Sequence, residues 1–377
     1  LFVFFEILLI ASYGLLLHGG GAARTRAGLH YVVLNVAGSS LFLIALGLIY
    51  GVTGTLNMAD LATTLAQLDA GDVPLASAGA LLLLVVFGLK AAVLPLHFWL
   101  PHAYGNASPP VAALFAIMTK VGVYAIVRVF GLVFGYADGP LANITEPWLL
   151  TAALLTLAVG TFGVVASRHL QEMTGYLIIV SVGTLLTGIG IGTNAGLTGA
   201  LYYLVHTTLV TGGLFLLADV IARGRPQGAL ISEGRRPPDN ALIGVLFLVG
   251  AVAIAGMPPL SGLIGKLLLL SAAQPSDWAP WIWGGILGSS LLLVVGLTRA
   301  GAALFWRGDM ASDGSQGALR IAPAALLLAT SPLLVAFGDA ISEFTAATAA
   351  QVHDGTDYVE AVLATAPSSP KVALEGQ

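Results

Sequence analysis

Runs of about twenty apolar residues, parted by short turns bearing Gly, Pro or charge, recur along almost the whole chain. A helix of about twenty such residues is what crosses a hydrocarbon core of roughly 30 Å. The composition agrees, with 57% of the 377 residues hydrophobic and only 9% charged. An ordinary soluble domain carries roughly 25% charged residues. In water such a chain would expose large apolar patches and aggregate, which excludes a soluble enzyme. The chain therefore reads as an all-α polytopic membrane protein.

The turns predict ten spans, at about 1–19, 29–52, 75–99, 109–134, 147–166, 172–192, 195–222, 239–273, 279–307 and 319–338. Two are expected to be broken helices, at Pro95 and Pro101 and at Pro258 and Pro259. Proline inside a span frees carbonyls, which is tolerated only where the helix is buried in protein or lines a wet cavity. Lys90 precedes the first break and Lys266 follows the second. That recurrence predicts inverted five-helix repeats. Residues 1–134 would be the remainder of a first repeat, with N-terminal helices upstream of Leu1, and 147–307 a second repeat. A final span at 319–338 and an extracytoplasmic tail at 339–377 would follow, the tail forming a short surface helix before a disordered end.

Loop charge predicts the orientation. Arg24, Arg26, Arg168, Arg223, Arg225, Arg235, Arg236, Arg299, Arg307 and Arg320 fall on one side, and Asp60, Asp69, Asp72, Asp138, Glu146 and Asp277 on the other. By the positive-inside rule the arginine side is cytoplasmic. Trp148, Trp278, Trp281 and Trp283 are expected at outer helix ends, and Trp99 and Trp306 at inner ones, as an interfacial belt. The net charge of −4 gives no basic surface for nucleic acid. The absence of Cys excludes disulfides and thiolate-held clusters, and the seven His lack metal-ligand spacing. No metal or cofactor is expected.

Glu6, Lys90, Lys120 and Lys266 lie deep in apolar spans. Each charge at a helix centre costs about 2.5–3.5 kcal/mol on insertion scales. One reading is a proton or ion relay; the other is that buried charges fix packing, or snorkel to the headgroups. Snorkelling is hardest for Lys120, far from either helix end. A carboxylate approaching or leaving a desolvated lysine would load or unload its proton, which makes Glu6 the natural modulator of Lys90. His206, with Thr207, Thr208 and Thr211 nearby, suits a proton shuttle, or equally a hydrogen-bonded core position. Thr119, Ser181, Thr184, Thr187, Thr207 and Thr211 are candidates to hold bridging waters, unless they bond their own backbone. His97 and His102 read first as interfacial, and Asp219 and Arg223 as a local ion pair.

Two long motifs sharpen this picture. L-K-A-A-V-L-P-L-H-F-W-L-P-H-A-Y and S-P-P-V-A-A-L-F-A-I-M-T-K-V-G-V-Y-A-I-V-R resemble the antiporter-like, proton-translocating subunits shared by respiratory complex I and multisubunit cation/proton antiporters. F-F-E-I-L-L-I-A-S-Y-G-L, Y-Y-L-V-H-T-T-L-V-T-G-G-L-F-L-L-A-D and P-P-L-S-G-L-I-G-K-L-L-L are most similar to the D-type member of Mrp-type sodium/proton antiporters. Many complex I relatives carry a second lysine shortly after the histidine; here Thr211 and Gly212 stand there, which favours the D-type resemblance.

The resemblance implies that the ten helices are the fifth to fourteenth of a fourteen-helix fold. It implies that Glu6 and Lys90 are the gating pair, Lys120 the central relay, His206 the link between halves and Lys266 the terminal lysine. It further implies a bacterial inner-membrane location, protons and sodium as transported ions, partner subunits in a hetero-oligomeric complex, and no cofactor. A proton-pumping subunit of a redox-driven complex and a non-conducting scaffold are the alternatives.

Overall fold

The computed structural model describes residues 1–307 and 317–365. The expected disordered end of the tail lies outside the described residues. Among the described residues, eight helices are long and apolar enough to cross a membrane and three more are apolar but shorter. The first half runs α1 (Phe2–Leu17), α2 (Ala22–Thr53), α3 (Met58–Ala66), α4 (Val73–Ala91), α5 (Trp99–Asn106), α6 (Pro109–Phe115) and α7 (Met118–Ile126). The second runs α8 (Glu146–Ala166), α9 (Leu170–Gly190), α10 (Asn194–Arg223), α11 (Asn240–Ala255), α12 (Ser261–Ala273) and α13 (Ala279–Gly301). Then come α14 (Ala318–Ala336), α15 (Gly338–Asp354) and α16 (Thr356–Thr365). The helices α7 and α13 run on into π-helical turns, Val127–Val133 and Ala302–Trp306.

The ten expected spans all appear, with four differences. The second is longer than expected, because nothing between Ala22 and Leu29 stops a helix once Gly19, Gly20 and Gly21, all at positive φ, have turned the chain. Arg24 and Arg26 therefore lie on the first turns of α2, not in a loop, and Arg24 donates to the carbonyls of His18 and Asn106.

The break after α4 involves Pro95 but not Pro101. The helix ends at Ala92, in the left-handed region with φ +62°, and the chain stays irregular to Phe98. Pro101 sits in the first turn of α5, where its missing N–H is no loss. The second break, Gly256–Leu260, contains both Pro258 and Pro259 as expected. A third interruption, at Ala116 and Ile117 between α6 and α7, carries no proline at all. It lies one turn before Lys120, whose amide closes a tight turn onto the Ile117 carbonyl at 2.9 Å.

Trp99 is the fourth difference. It is only 4% exposed and donates its indole N–H at 3.1 Å to the Leu89 carbonyl, which also takes the Ala92 amide at 3.2 Å where α4 ends. It staples the break and takes no part in an interfacial belt. Trp148, Trp278, Trp281, Trp283 and Trp306 keep substantial exposure, as belt residues should.

The arginine loops gather on one face. Arg299 donates to the Ser167 carbonyl, Arg236 to that of Trp306, and His169 pairs with Leu230 across the 224–239 connection. Arg225 organises that connection, donating to the carbonyls of Gly228, Leu230, Ser232 and Arg235 at 2.7–3.4 Å. Burial there pulls its guanidinium below the ordinary value. Asp219 and Arg223 form the expected i,i+4 pair at 2.8 Å. On the opposite face the tail is more than a short surface helix. The helix α15 packs along α10 and ends against the turn after α7, where Val352 meets Gly131. Next to it α16 lies on α3, and Tyr358 takes the Arg128 guanidinium over its ring at 4.2 Å.

Candidate functional site: a buried polar axis

Lys90, Lys120, His206 and Lys266 are 5%, 2%, 0% and 4% exposed. None snorkels, so each must find partners inside the bundle, and the structure supplies a different kind of partner at each.

The first cluster joins three helices. A helix repeats its face about every fourth residue, and on α2 Tyr31, Asn35 and Ser39 follow one another at that spacing. The Ser39 hydroxyl donates to Glu6 of α1 at 2.5 Å, or alternatively to its own Asn35 carbonyl at 3.0 Å. Asn35 accepts the Lys90 ammonium at 3.2 Å, while its amide donates to the Tyr31 carbonyl at 2.8 Å. Glu6 and Lys90 thus make no direct ion pair. Ser39 and Asn35, one helical turn apart on α2, stand between them. Below this cluster the Tyr31 hydroxyl pairs with Ser12 at 2.7 Å.

Lys120 sits on α7 where it crosses the end of α4. Gly122 lies against the backbone of Ala91 there, leaving no room for a Cβ. The Lys120 ammonium donates to Ser181 of α9 at 3.0 Å, and Ser181 donates onward to the Ile178 carbonyl at 2.6 Å. Thr184, Thr187 and Thr211 bond carbonyls four residues back, which is the backbone alternative open to any such residue in a membrane helix. Thr119, Thr207, Tyr203 and the Nε2 of His206 are different. All are buried and none makes a well-aligned hydrogen bond, although Thr184 lies beside the Tyr203 hydroxyl and Ala253 beside the His206 ring. Groups of this kind in a protein interior are ordinarily satisfied by bound water.

The third cluster is built on the second break. His206 Nδ1 pairs with Ser261 at 2.7 Å, and Ser261 with Ser331 of α14 at 2.8 Å. Gly262 allows this approach, since a Cβ there would collide with the Ala253 carbonyl and come within 2.9 Å of His206 Nε2. Lys266 reaches back to the open end of α11. It donates to the Ala255 carbonyl at 2.8 Å and the Ile254 carbonyl at 3.5 Å, and to Ser290 of α13 at 2.8 Å. A helix C-terminus carries about half a negative charge, so the break itself supplies the counter-charge that no carboxylate provides.

The five ionisable residues expected in the axis therefore fall on helices that contact one another in sequence, from α1 through α2, α4, α7, α9, α10 and α12 to α13. They form separate clusters; among the described residues no hydrogen bond joins one cluster to the next. Asn35, Ser39, Ser261, Ser290 and Ser331 are additions that sequence reasoning misses. For Asn35 and Ser39 the signal is present, as polar residues four apart in an otherwise apolar run. Ser261, Ser290 and Ser331 come from three helices with no spacing to unite them. No group of three His, Asp or Glu suited to a metal ion occurs among the described residues. His97 is half-buried with an unpartnered Nδ1, and His102 is exposed.

Comparison with known proteins identifies the family. The family model described as NADH:quinone oxidoreductase/Mrp antiporter, transmembrane, matches residues 1–292. The D component of a probable K+/H+ antiporter of Rhizobium meliloti is 43% identical over 357 residues, covering 87% of this chain and 66% of that protein. The D component of the Na+/H+ antiporter of Bacillus subtilis is 36% identical over 369 residues, covering 96% and 73%. The chain thus spans about two thirds to three quarters of the length of these curated relatives. Among solved structures, the Mrp complex from Dietzia sp. matches with a TM-score of 0.84 at 26% identity, over 96% of this chain and 75% of that one. Respiratory complex I from Thermus thermophilus matches with a TM-score of 0.80 at 26% identity, over 93% and 74%.

Proposed function

Because the chain belongs to the NADH:quinone oxidoreductase/Mrp antiporter transmembrane family, we propose that it is the proton-translocating D-type component of a multisubunit monovalent cation/proton antiporter. The observation that carries this reading is the row of buried ionisable groups, Lys90, Lys120, His206 and Lys266, hydrogen-bonded to neutral groups and paired with no opposite charge. Protons move along Lys90, Lys120, His206 and Lys266, bridged by water at Thr119, Tyr203, Thr207 and His206 Nε2. Thr184, Thr187 and Thr211 offer acceptor lone pairs beside that route. Glu6 acts on Lys90 through Ser39 and Asn35: when it loses its proton it draws charge onto the lysine, and when it gains one it releases it.

In this reading residues 1–134 and 147–307 are inverted repeats. Asn35 on α2 and His206 on α10 support it, since each lies about a dozen residues into a long helix, Asn35 bonded to Lys90 of the first broken helix and His206 to Ser261 of the second. The arginine face is cytoplasmic, the membrane is the bacterial inner membrane, and other subunits complete the exchanger. Sodium is the proposed counter-ion, with potassium the one to be tested beside it, since the two relatives above are a Na+/H+ and a probable K+/H+ antiporter component.

The test is cation-dependent proton exchange in everted vesicles carrying the assembled complex. Lys90→Ala and Lys266→Ala are expected to lower exchange at least tenfold with assembly intact on native gels. Wild-type exchange in both would return the lysines to packing. Proton movement in the wild type that responds to neither sodium nor potassium would favour a component of a redox-driven pump.

A further inference from the structure

Two buried donors on one short helix reach carbonyls at both interruptions of the first half. The helix α5 buries Trp99, Leu100, Ala103 and Tyr104, which share one helical face. Trp99 gives its indole N–H to the Leu89 carbonyl, next to Lys90. Tyr104 gives its phenol O–H to the Phe115 carbonyl at 2.8 Å, at the last residue of α6. Ala116 and Ile117 follow, and then the turn that the Lys120 amide closes. The Trp99 and Tyr104 rings meet edge to face, their centroids 6.0 Å apart.

This helix is itself held along its length. Its Pro101 lies so close to Gly175 of α9 that a Cβ there would come within 3.3 Å. At its end the Asn106 carbonyl takes the Arg24 guanidinium at 2.9 Å. Ring contacts run on from both donors. Trp99 packs on Tyr31 of α2 at 5.3 Å, and the Tyr31 carbonyl takes the amide of Asn35, the partner of Lys90. Tyr104 packs on Phe115 at 5.6 Å and on Phe215 of α10 at 6.2 Å. Close-packed rings transmit a displacement, because sliding one past another opens voids.

We propose that Trp99 and Tyr104 are positioning residues, and that α5 is a strut tying the end of α4 to the α6–α7 interruption, so that Lys90 and Lys120 shift together. No hydrogen bond joins the two lysine clusters, so the link is mechanical. A shift at the first break moves the Leu89 carbonyl and Trp99, then Tyr104 and the Phe115 carbonyl, and with them the turn that carries Lys120. Neither residue handles a proton. The effect on transport rests on the relay reading above, but the link itself is measurable without transport.

That measurement is hydrogen–deuterium exchange on the full-length assembled complex in lipid nanodiscs. Tyr104→Phe keeps the ring and removes only the O–H, which contacts the second interruption and not the first. Amides of residues 92–96 are nevertheless expected to exchange at least threefold faster, together with those of residues 117–121. Acceleration confined to 117–121, or absent from both, would overturn the strut. In everted vesicles, Tyr104→Phe and Trp99→Phe are each expected to lower cation-dependent proton exchange about fivefold, the size of one lost hydrogen bond. Each should also move the midpoint of the pH profile, which a smaller amount of intact complex would not do. Since both act through one helix, the double variant should be little worse than either single one. A wild-type rate and profile in Tyr104→Phe, or multiplicative losses in the double variant, would equally overturn it. Failure of the relay would show separately, as full exchange in Lys90→Ala with the deuterium result unchanged.

Discussion

At the first helix break the ammonium of Lys90 meets an amide, Asn35 at 3.2 Å, which leads through Ser39 to the Glu6 carboxylate. At the second, the ammonium of Lys266 meets the bare end of a half-helix, Ala255 and Ile254, with one hydroxyl from Ser290. Both lysines are buried beside a proline-containing interruption, yet the charge that answers each is of a different kind. A carboxylate gains and loses a proton, so its attraction for Lys90 can be switched. The partial charge of a helix end is fixed by the backbone, so Lys266 has a constant counter-charge. In the relay proposed above, the same local motif would give a switchable site at the first break and a static one at the second.

The sharpest way to break this comparison is to remove the static site's geometry. In Gly262→Val the new side chain would collide with the Ala253 carbonyl and crowd His206. Neither backbone carbonyl nor packed ring can retreat cheaply in a close-packed interior. The expected result is loss of the assembled complex on native gels. Assembly at wild-type levels would mean that the entry to α12 is loosely packed and that the α11 carbonyls do not hold Lys266 in place.

Much of this is legible in the sequence, and the rest is illegible for identifiable reasons. Charges in apolar runs and prolines in mid-span announce Lys90, Lys120, Lys266 and both breaks, because each carries a cost that a random apolar helix would not bear. The interruption at Ala116 and Ile117 announces nothing, since it rests on how α6 and α7 pack and not on a breaker residue. Trp99 misleads because an aromatic near a helix end has two uses, facing lipid or donating to a freed carbonyl, and only the fold chooses. The Ser261–Ser331 pair is seventy residues apart, and no periodicity reaches that far.

The switchable site can be probed as a coupled unit. Asn35→Leu removes the acceptor from Lys90 and leaves a buried ammonium unpaired, a large penalty in a dry interior. Glu6→Gln keeps the hydrogen bond from Ser39 but removes the charge. Each is expected to lower exchange about tenfold. Because both act through one hydrogen-bonded chain, the double variant should be little worse than either single one. Strictly multiplicative losses would show that Glu6 and Lys90 are not joined through Asn35 and Ser39.

The smallest expected effect belongs to Ser290→Ala. Lys266 would lose the hydroxyl at 2.8 Å but keep the Ala255 carbonyl at 2.8 Å and the helix end behind it. A hydrogen bond involving a charged group contributes about 1.5–3 kcal/mol when nothing replaces it. Here Ser289 lies next to Ser290 but donates instead to the Ile286 carbonyl at 2.9 Å, so it does not substitute. The backbone dipole does, and exchange should fall only two- to fivefold. Combined with Glu6→Gln the losses should multiply, since the two sites share no partner. A loss in Ser290→Ala as large as that in Asn35→Leu would mean the hydroxyl, not the half-helix, is the main counter-group of Lys266. The distinction between a fixed and a switchable site would then collapse, because a hydroxyl on α13 can move with that helix whereas the α11 carbonyls cannot.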